Sequence, residues 1–264
     1  MKLLMIGHLI GDFYFQTDEM ADKKKRSFIE TARHCFYYSC AICLVLWIAT
    51  GVSYKHILPA VIIGLLHFIV DSIKVIIYKN DKYKKCESNI NKTKIFVIDQ
   101  IIHTLILFAA SSFLVIEQNM GWIPDVFEKL SKACIENPIV IFVFLFCGKP
   151  AAVIVSLVFG LILKTIVEAE KHNDNETEKQ NSAAITTEKK ESTKIGSWIG
   201  ILEREIILIL GLLGEYEVIG FVIAAKSLAR HSQFDNKAFA EKYLVGTLLS
   251  TLIAILGIVL CSIF

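Results

Sequence analysis

Long apolar runs are the feature of this sequence that most limits how the chain can fold. Of its 264 residues, 54% are hydrophobic, and the mean hydropathy is +0.55. This is too apolar for an ordinary soluble domain of this size. Several runs reach the length of about 20 residues that a helix needs to cross a bilayer. The sequence therefore predicts an all-α fold, a polytopic integral membrane helix bundle.

The apolar runs divide the chain into about eight hydrophobic segments. They are Leu3–Phe15, His34–Thr50, Ile57–Tyr78, Ile95–Ile116, Ile139–Val167, Trp198–Leu213, Val218–Ala229 and Tyr243–Phe264. The stretch between the fifth and sixth segments is charged and nearly free of apolar residues, so it cannot bury a core. We therefore expect an N-terminal membrane bundle over residues 1–168, a disordered charged linker over residues 169–195 and a C-terminal membrane bundle over residues 196–264.

Lysine and arginine cluster in two of the loops, near Lys25 and near Lys84. Short loops with such clusters lie on the cytoplasmic side of a membrane. The alternation of eight crossings then puts the N-terminus and the loop near Asp125 outside. The linker and the loop near Arg230 fall inside under the same alternation.

Three of the apolar segments each carry a histidine and an aspartate four residues apart. The pairs are His8 with Asp12, His67 with Asp71, and Asp99 with His103. Residues four apart share one face of a helix. In the third pair the aspartate comes before the histidine. An antiparallel helix with this order places its aspartate and its histidine at the same depths in the membrane as those of the other two helices. The sequence therefore predicts one layer of imidazoles and carboxylates on the cytoplasmic side of the bundle.

This layer is a candidate metal centre. Ionisable groups inside apolar helices usually face the bundle interior and have a function, and imidazole with carboxylate suits Zn, Mn or non-haem Fe. Helix bundles build such sites from inward-facing side chains. The candidate metal ligands are His8, Asp12, His67, Asp71, Asp99 and His103, with His34 as a further candidate. The side chains expected to orient them are Gln16, Asp18, Lys74 and Gln100.

Other interpretations of the same residues stay open. A single His/Asp pair can be an internal hydrogen bond between two buried polar groups, and chains of Asp and His also relay protons or ions. Asp18 can be an ordinary loop residue, and Lys74 can extend to the lipid headgroups. The residues therefore do not assign a catalytic side chain or decide whether a metal is bound.

The C-terminal bundle has charges of its own. Glu203 and Lys226 lie at similar depths in two neighbouring apolar segments under the predicted topology. We expect them to form a structural ion pair, which stabilises little but is costly to break from one side.

The motifs around the histidines and aspartates resemble the DUF3307 family, a bacterial membrane-protein domain of unknown function. The resemblance covers about residues 3 to 115. It rests on the sequence HLIGDF at residues 8–13 with QTD at 16–18, on His67 and Phe68 with Asp71 and Lys74, and on Asp99 and Gln100 with His103. The C-terminal part of the chain resembles the extension that many members carry. The matching sequences are IGILER at residues 199–204, GF at 220–221, AAKS at 224–227 and GTLLS at 246–250. The resemblance implies a multi-pass protein of the bacterial cytoplasmic membrane. It also implies a soluble SatD-type partner protein, and no activity is established for the family.

Three functions are compatible with these features. The first is an intramembrane metal-dependent hydrolase acting on a lipid or a lipid-linked phosphate. The second is an ion- or proton-coupled transporter that uses the same polar layer as its relay. The third is a membrane anchor or sensor that recruits a cytosolic partner. In each case the chain contacts membrane lipid, and we expect no direct contact with nucleic acid.

Overall fold

The computed structural model of the protein describes residues 1–25, 27–79, 89–113, 132, 136–170, 185–235 and 237–263. Over these residues the chain is about 91% helical, with ten α-helices and no strand. The predicted all-α fold is therefore confirmed. The chain divides into two compact units, Met1–Leu145 and Phe146–Phe264, which are described separately below.

The first unit is built around a central helix. Its helices are α1 (Lys2–Leu9), α2 (Asp18–Lys24), α3 (Phe28–Thr50), α4 (Ile57–Lys79) and α5 (Asn89–Phe113). A π-helical turn, Ile10–Tyr14, continues α1, and a short 3-10 turn, Tyr54–His56, precedes α4. Helix α3 packs against α1, α2 and α4, and α5 packs against α1 and α4. Four helices therefore surround one interior.

Side-chain caps explain why the predicted basic loop is partly helical. Thr17 caps α2 by accepting a hydrogen bond from the Met20 amide at 3.2 Å. Ser27 caps α3 in the same way, and Glu30 follows three residues later, which is the pattern of a capping box. Helix α3 therefore begins six residues before the segment predicted from hydropathy. On the exposed side of α2, Lys23 pairs with Glu19, and its hydrogen bond lowers the pKa of the Glu19 carboxyl.

Glycines allow the helices of this unit to approach closely. A Cβ atom on Gly11 would lie 2.7 Å from Cδ2 and 3.1 Å from Cα of Tyr38. One on Gly7 would lie 3.2 Å from Cα of Ile42, and one on Gly64 would overlap the Ser39 hydroxyl. Small residues four apart are typical of closely packed membrane helices. Gly7 and Gly11 therefore set the distance between α1 and α3.

A cluster of apolar side chains fills one half of the interior between these helices. Its buried members are Leu4, Tyr38, Ile42, Leu46, Ala60, Ile63 and Leu107. On each helix they lie about one to three turns beyond the histidine, and on the helices that also carry an aspartate they lie on the side away from it. The interior of the first unit therefore has a polar half and an apolar half.

The second unit contains four further helices, α7 (Lys149–Glu170), α8 (Ile185–Leu212), α9 (Tyr216–Ala229) and α10 (Lys237–Ile263). Helix α6 (Pro138–Cys147) belongs to the first unit as far as Leu145, and its last two residues belong to the second. Helix α8 packs against α7, α9 and α10. Residues 185–195 of the predicted linker form its first turns, whereas residues 171–184 lie outside the described part of the chain.

Four of the described helical stretches are long and apolar enough to cross a membrane. They are Phe28–Thr50, Tyr54–Lys79, Asn91–Ser112 and Phe239–Ile263, and the broken pair α6 and α7 counts as a fifth if it is one span. The fifth predicted segment, Ile139–Val167, is broken at Gly148, between α6 and α7. The predicted count of about eight segments is not confirmed, because α1 and α9 have only 8 and 14 residues and α8 is not among the stretches that pass. The loop near Asp125 lies outside the described residues.

The contact between α1 and α3 yields the first prediction. Gly11→Ala places a methyl group against the Tyr38 ring and backbone, so we expect a loss of about 1–3 kcal/mol in the free energy of unfolding. Denaturation by SDS in mixed micelles measures it. Gly220→Ala is the matched control, since nothing lies within 4 Å of a Cβ atom there. Equal stability of both variants would contradict this packing.

Candidate metal centre

The polar half of the first unit holds all seven predicted His and Asp candidates. The π turn and α1 supply His8 and Asp12, α3 supplies His34, α4 supplies His67 and Asp71, and α5 supplies Asp99 and His103. Each of the seven is at most 6% exposed. Four helices thus bring four imidazoles and three carboxylates into one buried cluster.

A π turn positions Asp12 in the cluster. The Phe15 amide donates to the Ile10 carbonyl at 2.9 Å, a hydrogen bond that spans five residues instead of four. Such turns inside α-helices occur frequently at functional sites. The regular helix predicted between His8 and Asp12 is therefore interrupted. Asp12 instead contacts His34 on α3 at 3.2 Å and accepts from Gln100 on α5 at 3.1 Å.

Three side chains from three helices converge on one point. Nε2 of His34 lies 3.2 Å from Oδ1 of Asp12 and 3.3 Å from Nε2 of His67, which lies 3.8 Å from the same Asp12 oxygen. Ligand atoms at 2.0–2.1 Å from a tetrahedral zinc ion are about 3.3–3.4 Å apart. Two histidines and one carboxylate also form the protein ligand set of many catalytic zinc sites. These residues fit a zinc ion without large movement.

The Nε2 atoms of His34 and His67 face each other, which limits what can lie between them. The other ring nitrogen of each histidine, Nδ1, has no hydrogen-bond partner among the described residues. At 3.3 Å, two Nε2 atoms are compatible with two arrangements: one is protonated and donates to the other, or a cation lies between both lone pairs. A divalent cation satisfies both nitrogens and Asp12 together.

Asp71 adjoins this set of three. Its Oδ2 lies 3.4 Å from Nε2 of His67 and 3.8 Å from Nε2 of His34. It also belongs to two further buried groups whose donor atoms lie within 4.8 Å of one another, one with Cys35 and His67 and one with Asp99 and His103. Asp71 is therefore the carboxylate that links all parts of the cluster.

Two lysines neutralise the carboxylates. Lys24 Nζ lies 3.5 Å from Asp12 and 3.3 Å from Asp71. Lys74 Nζ pairs with Asp71 and lies 2.9 Å from Asp99. Sequence reasoning included Lys74 but missed Lys24, because Lys24 is one of several lysines in a basic stretch and nothing distinguishes it there.

Tyr38 is the second residue that sequence reasoning missed. Its ring stacks on His67 with centroids 3.9 Å apart, and its hydroxyl lies 3.1 Å from Nδ1 of His8. The available signal was its spacing, since Tyr38 is four residues from His34 and shares its helix face. The other His8 nitrogen, Nε2, lies 3.4 Å from Gln100. His8 therefore lies beside the three converging ligands and has both nitrogens occupied.

The remaining predicted side chains fall into two groups. Gln100 contacts Asp12, Asp99 and His8 and so orients them, and His103 lies 3.3 Å from Asp99. Gln16 has a buried oxygen without a partner among the described residues. Asp18 is exposed in the first turn of α2, outside the cluster, because the chain leaves the bundle after Phe15.

The second unit has its own buried charges. Lys226 donates to the Glu203 carboxylate and lies 5.4 Å above the Tyr243 ring. Arg204, 1% exposed, donates to the carbonyls of Cys147 at 2.6 Å and Gly148 at 3.2 Å. These carbonyls end α6, so the guanidinium satisfies acceptors that the break in the helix leaves unpaired.

Fold and site together define a class: a helical protein with several helices long enough to span a membrane and a buried cluster of His, Asp and Lys. Residues 1–129 match the model of the family described as protein of unknown function (DUF3307). The match confirms the predicted family for residues 1–129, which are similar to the members of this family. No curated protein and no solved structure matches the chain.

The Glu203–Lys226 contact yields the second prediction. Glu203→Gln and Lys226→Met should each cost about 3–5 kcal/mol in the free energy of unfolding, because each leaves one charge of the pair uncompensated. The double variant should recover much of that loss in a double-mutant cycle. Glu217→Gln, at an exposed position of the neighbouring helix, is the control and should change little. Additive losses would contradict the pairing.

Proposed function

We propose that the protein is a multi-pass protein of the bacterial cytoplasmic membrane whose first unit binds one divalent metal ion, preferably zinc. The membrane location is supported by the apolar helices, whose outward faces expose large side chains such as Leu58 at 67% and Ile76 at 60%. Water would not solvate such continuous apolar faces, whereas lipid would. The clustered lysines of the loops favour a cytoplasmic position for the polar half.

The single observation that carries the metal is the convergence of Asp12, His34 and His67 from three helices. Their donor atoms are 3.2–3.8 Å apart, close to the separation of about 3.3–3.4 Å between the ligands of a tetrahedral zinc ion. The nitrogen and carboxylate donors favour Zn over Mg or Ca, which prefer oxygen ligands alone. Three protein ligands leave a fourth position for water or substrate, as in catalytic zinc sites.

The charges of the cluster favour an anionic substrate. Three buried carboxylates face two ammonium groups, Lys24 and Lys74, which leaves one uncompensated negative charge when the imidazoles are neutral. A divalent ion reverses this and leaves one positive charge in excess. A phosphate ester headgroup is an anion of the kind that such a site attracts.

We infer hydrolysis of a lipid phosphate ester as the reaction. When bound, the ion supplies a Lewis acid for a phosphoryl oxygen and for water. Asp71, adjacent to the three ligands, is placed to accept the proton of the attacking water and return it to the leaving alkoxy oxygen as its bond to phosphorus breaks. Lys24 and Lys74 hold the remaining phosphoryl oxygens. Water and the ester thus give an alcohol and inorganic phosphate.

The alternative of a transporter has less support. A relay needs polar groups that continue through the bundle, but the apolar cluster around Leu4, Ile42 and Ile63 closes the described interior directly beyond the histidines. The soluble SatD-type partner and the anchor role remain predictions from the sequence.

The proposed function predicts a ligand-specific loss of metal. Purified protein should carry about one zinc ion per chain, and His34→Ala, His67→Ala and Asp12→Ala should each lose it, because three-ligand sites do not survive removal of one ligand. The same variants should lose zinc-dependent release of phosphate from a long-chain alkyl phosphate. Mass spectrometry measures metal content, and a phosphate assay measures turnover.

Val70→Ala is the control for these variants. Val70 lies on α4 next to Asp71 in sequence but is not part of the cluster, so the variant should keep its metal and its activity. Protein that stays free of metal when supplied with zinc would contradict the metal centre. Protein that retains its metal but releases no phosphate would contradict the proposed hydrolysis and leave the metal centre in place.

Lys24 provides a separate test of the same site. Lys24→Met leaves Asp12 and Asp71 less neutralised, so the metal-free variant should be destabilised by about 3–5 kcal/mol. Zinc should restore stability, by about 2.7 kcal/mol at 100 times the dissociation constant. Thermal unfolding with zinc and with a chelator measures both effects. A destabilised Lys24→Met protein that zinc does not rescue would identify the cluster as a closed ion-pair network.

A further inference from the structure

An open groove runs along the outside of the first unit between α3 and α4. Its volume is about 570 Å³. The lining is almost wholly apolar and includes Phe36, Cys40, Trp47, Val61, Leu65 and Phe68. The one hydroxyl in the lining, that of Ser39, is bonded internally to the Cys35 carbonyl at 3.0 Å. The groove therefore offers no polar partner to an occupant.

The groove begins at the candidate metal centre. Cys35 lines the groove, and its sulfur lies within 4.8 Å of donor atoms of His67 and Asp71. The groove residues of α4 follow the helical spacing of Ile57, Val61, Leu65 and Phe68, directly beside the face that carries His67 and Asp71. Cys35 thus belongs both to the lining of the groove and to one of the buried groups, so one end of the groove lies next to the cluster.

The length of the groove matches a fatty or isoprenoid chain. From Ala32 to Trp47 it follows α3 for 15 residues, or about 22 Å at 1.5 Å per residue. An extended alkyl chain advances about 1.25 Å per carbon for ordinary C–C bond lengths and angles. The groove therefore accommodates a chain of about 14 to 18 carbons.

We propose that this groove, the α3–α4 groove, binds the hydrocarbon chain of an anionic single-chain lipid phosphate whose headgroup lies at Lys24, Lys74 and the metal centre. The inference rests on the proposed function and adds the substrate class. A phosphate at the centre and a chain in the groove satisfy both surfaces at once. A second copy of the protein would fill the groove with a helix, but it would bring no anion to the centre, which has one positive charge in excess when a divalent ion is bound.

Photocrosslinking tests the proposal on the full-length, zinc-loaded protein in detergent. The probe is hexadecylphosphonate with a diazirine near the end of its chain, because the P–C bond of a phosphonate is not cleaved by the proposed reaction. We expect labels on the α3–α4 groove near Trp47 and Ile57, and loss of this labelling to background with the neutral probe hexadecanol. Labels spread evenly over the exposed apolar helix faces, equal labelling by hexadecanol, or crosslinked dimers in place of lipid adducts would each overturn it.

A matched pair of variants fixes the position of the chain. Val61 and Ile62 are neighbours on α4 with similar exposure, 45% and 48%, but only Val61 lines the groove. Val61→Trp should abolish groove labelling, whereas Ile62→Trp should retain it. Equal labelling of both variants would overturn the proposal.

A measurement on the unmodified chain supports the variants if Val61→Trp fails to fold. Cys40 is exposed in the groove, and Cys261 on α10 is a partly buried control outside it. Hexadecylphosphonate should slow the reaction of Cys40 with N-ethylmaleimide and leave that of Cys261 unchanged. Unchanged rates at both cysteines would overturn the groove assignment.

Metal content of each sample separates the two hypotheses. Protein that holds zinc but shows no groove labelling retains the metal centre and refutes the chain site. Protein without zinc that still labels in the groove refutes the metal centre and retains the chain site, with the two lysines as its anion contacts.

Discussion

The first unit depends on how the charge of Asp71 is compensated inside an apolar bundle. An uncompensated carboxylate in a low-dielectric interior costs several kcal/mol, and Asp71 is only 2% exposed. Lys24 from α2, Lys74 from its own helix and His67 one turn away all contact it. The position of α2 against the bundle and the burial of the polar half of α4 both follow from this compensation.

Close backbone approach is what makes that compensation geometrically possible. Gly11 and Gly64 let α1 and α4 reach α3 without a side chain between them. The short distances between helices bring His34 within reach of both Asp12 and His67. Larger residues at these glycines would push the helices apart and lengthen the contacts of His34 beyond hydrogen-bond distance. The polar cluster therefore depends on the small-residue contacts, because the donor atoms come together only where the helix backbones lie close to one another.

The sequence predicts the composition of this cluster well and its connections less well. The spacing of four between His67 and Asp71, and between Asp99 and His103, places them on one face of a helix, and the structure has them there. The contact of Asp12 with His34 depends on a π turn that no residue pattern announces. Lys24 and Tyr38 were missed because their roles come from contacts between helices. Hydropathy also does not fix where a helix ends: α9 is apolar but has only 14 residues and ends at Ala229, so the predicted count of segments is not confirmed.

Lys24 shows how such a site can exchange one cation for another. The hydroxyl of Thr31, itself fully buried, donates to the Lys24 carbonyl at 3.1 Å and so holds the end of α2 against α3. The Lys24 side chain is 12% exposed, and its ammonium lies 3.5 Å from Asp12 and 3.3 Å from Asp71. In the proposed metal centre, an ion held by Asp12 would repel this ammonium and a phosphate headgroup would attract it. The same lysine would then neutralise the carboxylates before the ion binds and contact the headgroup afterwards.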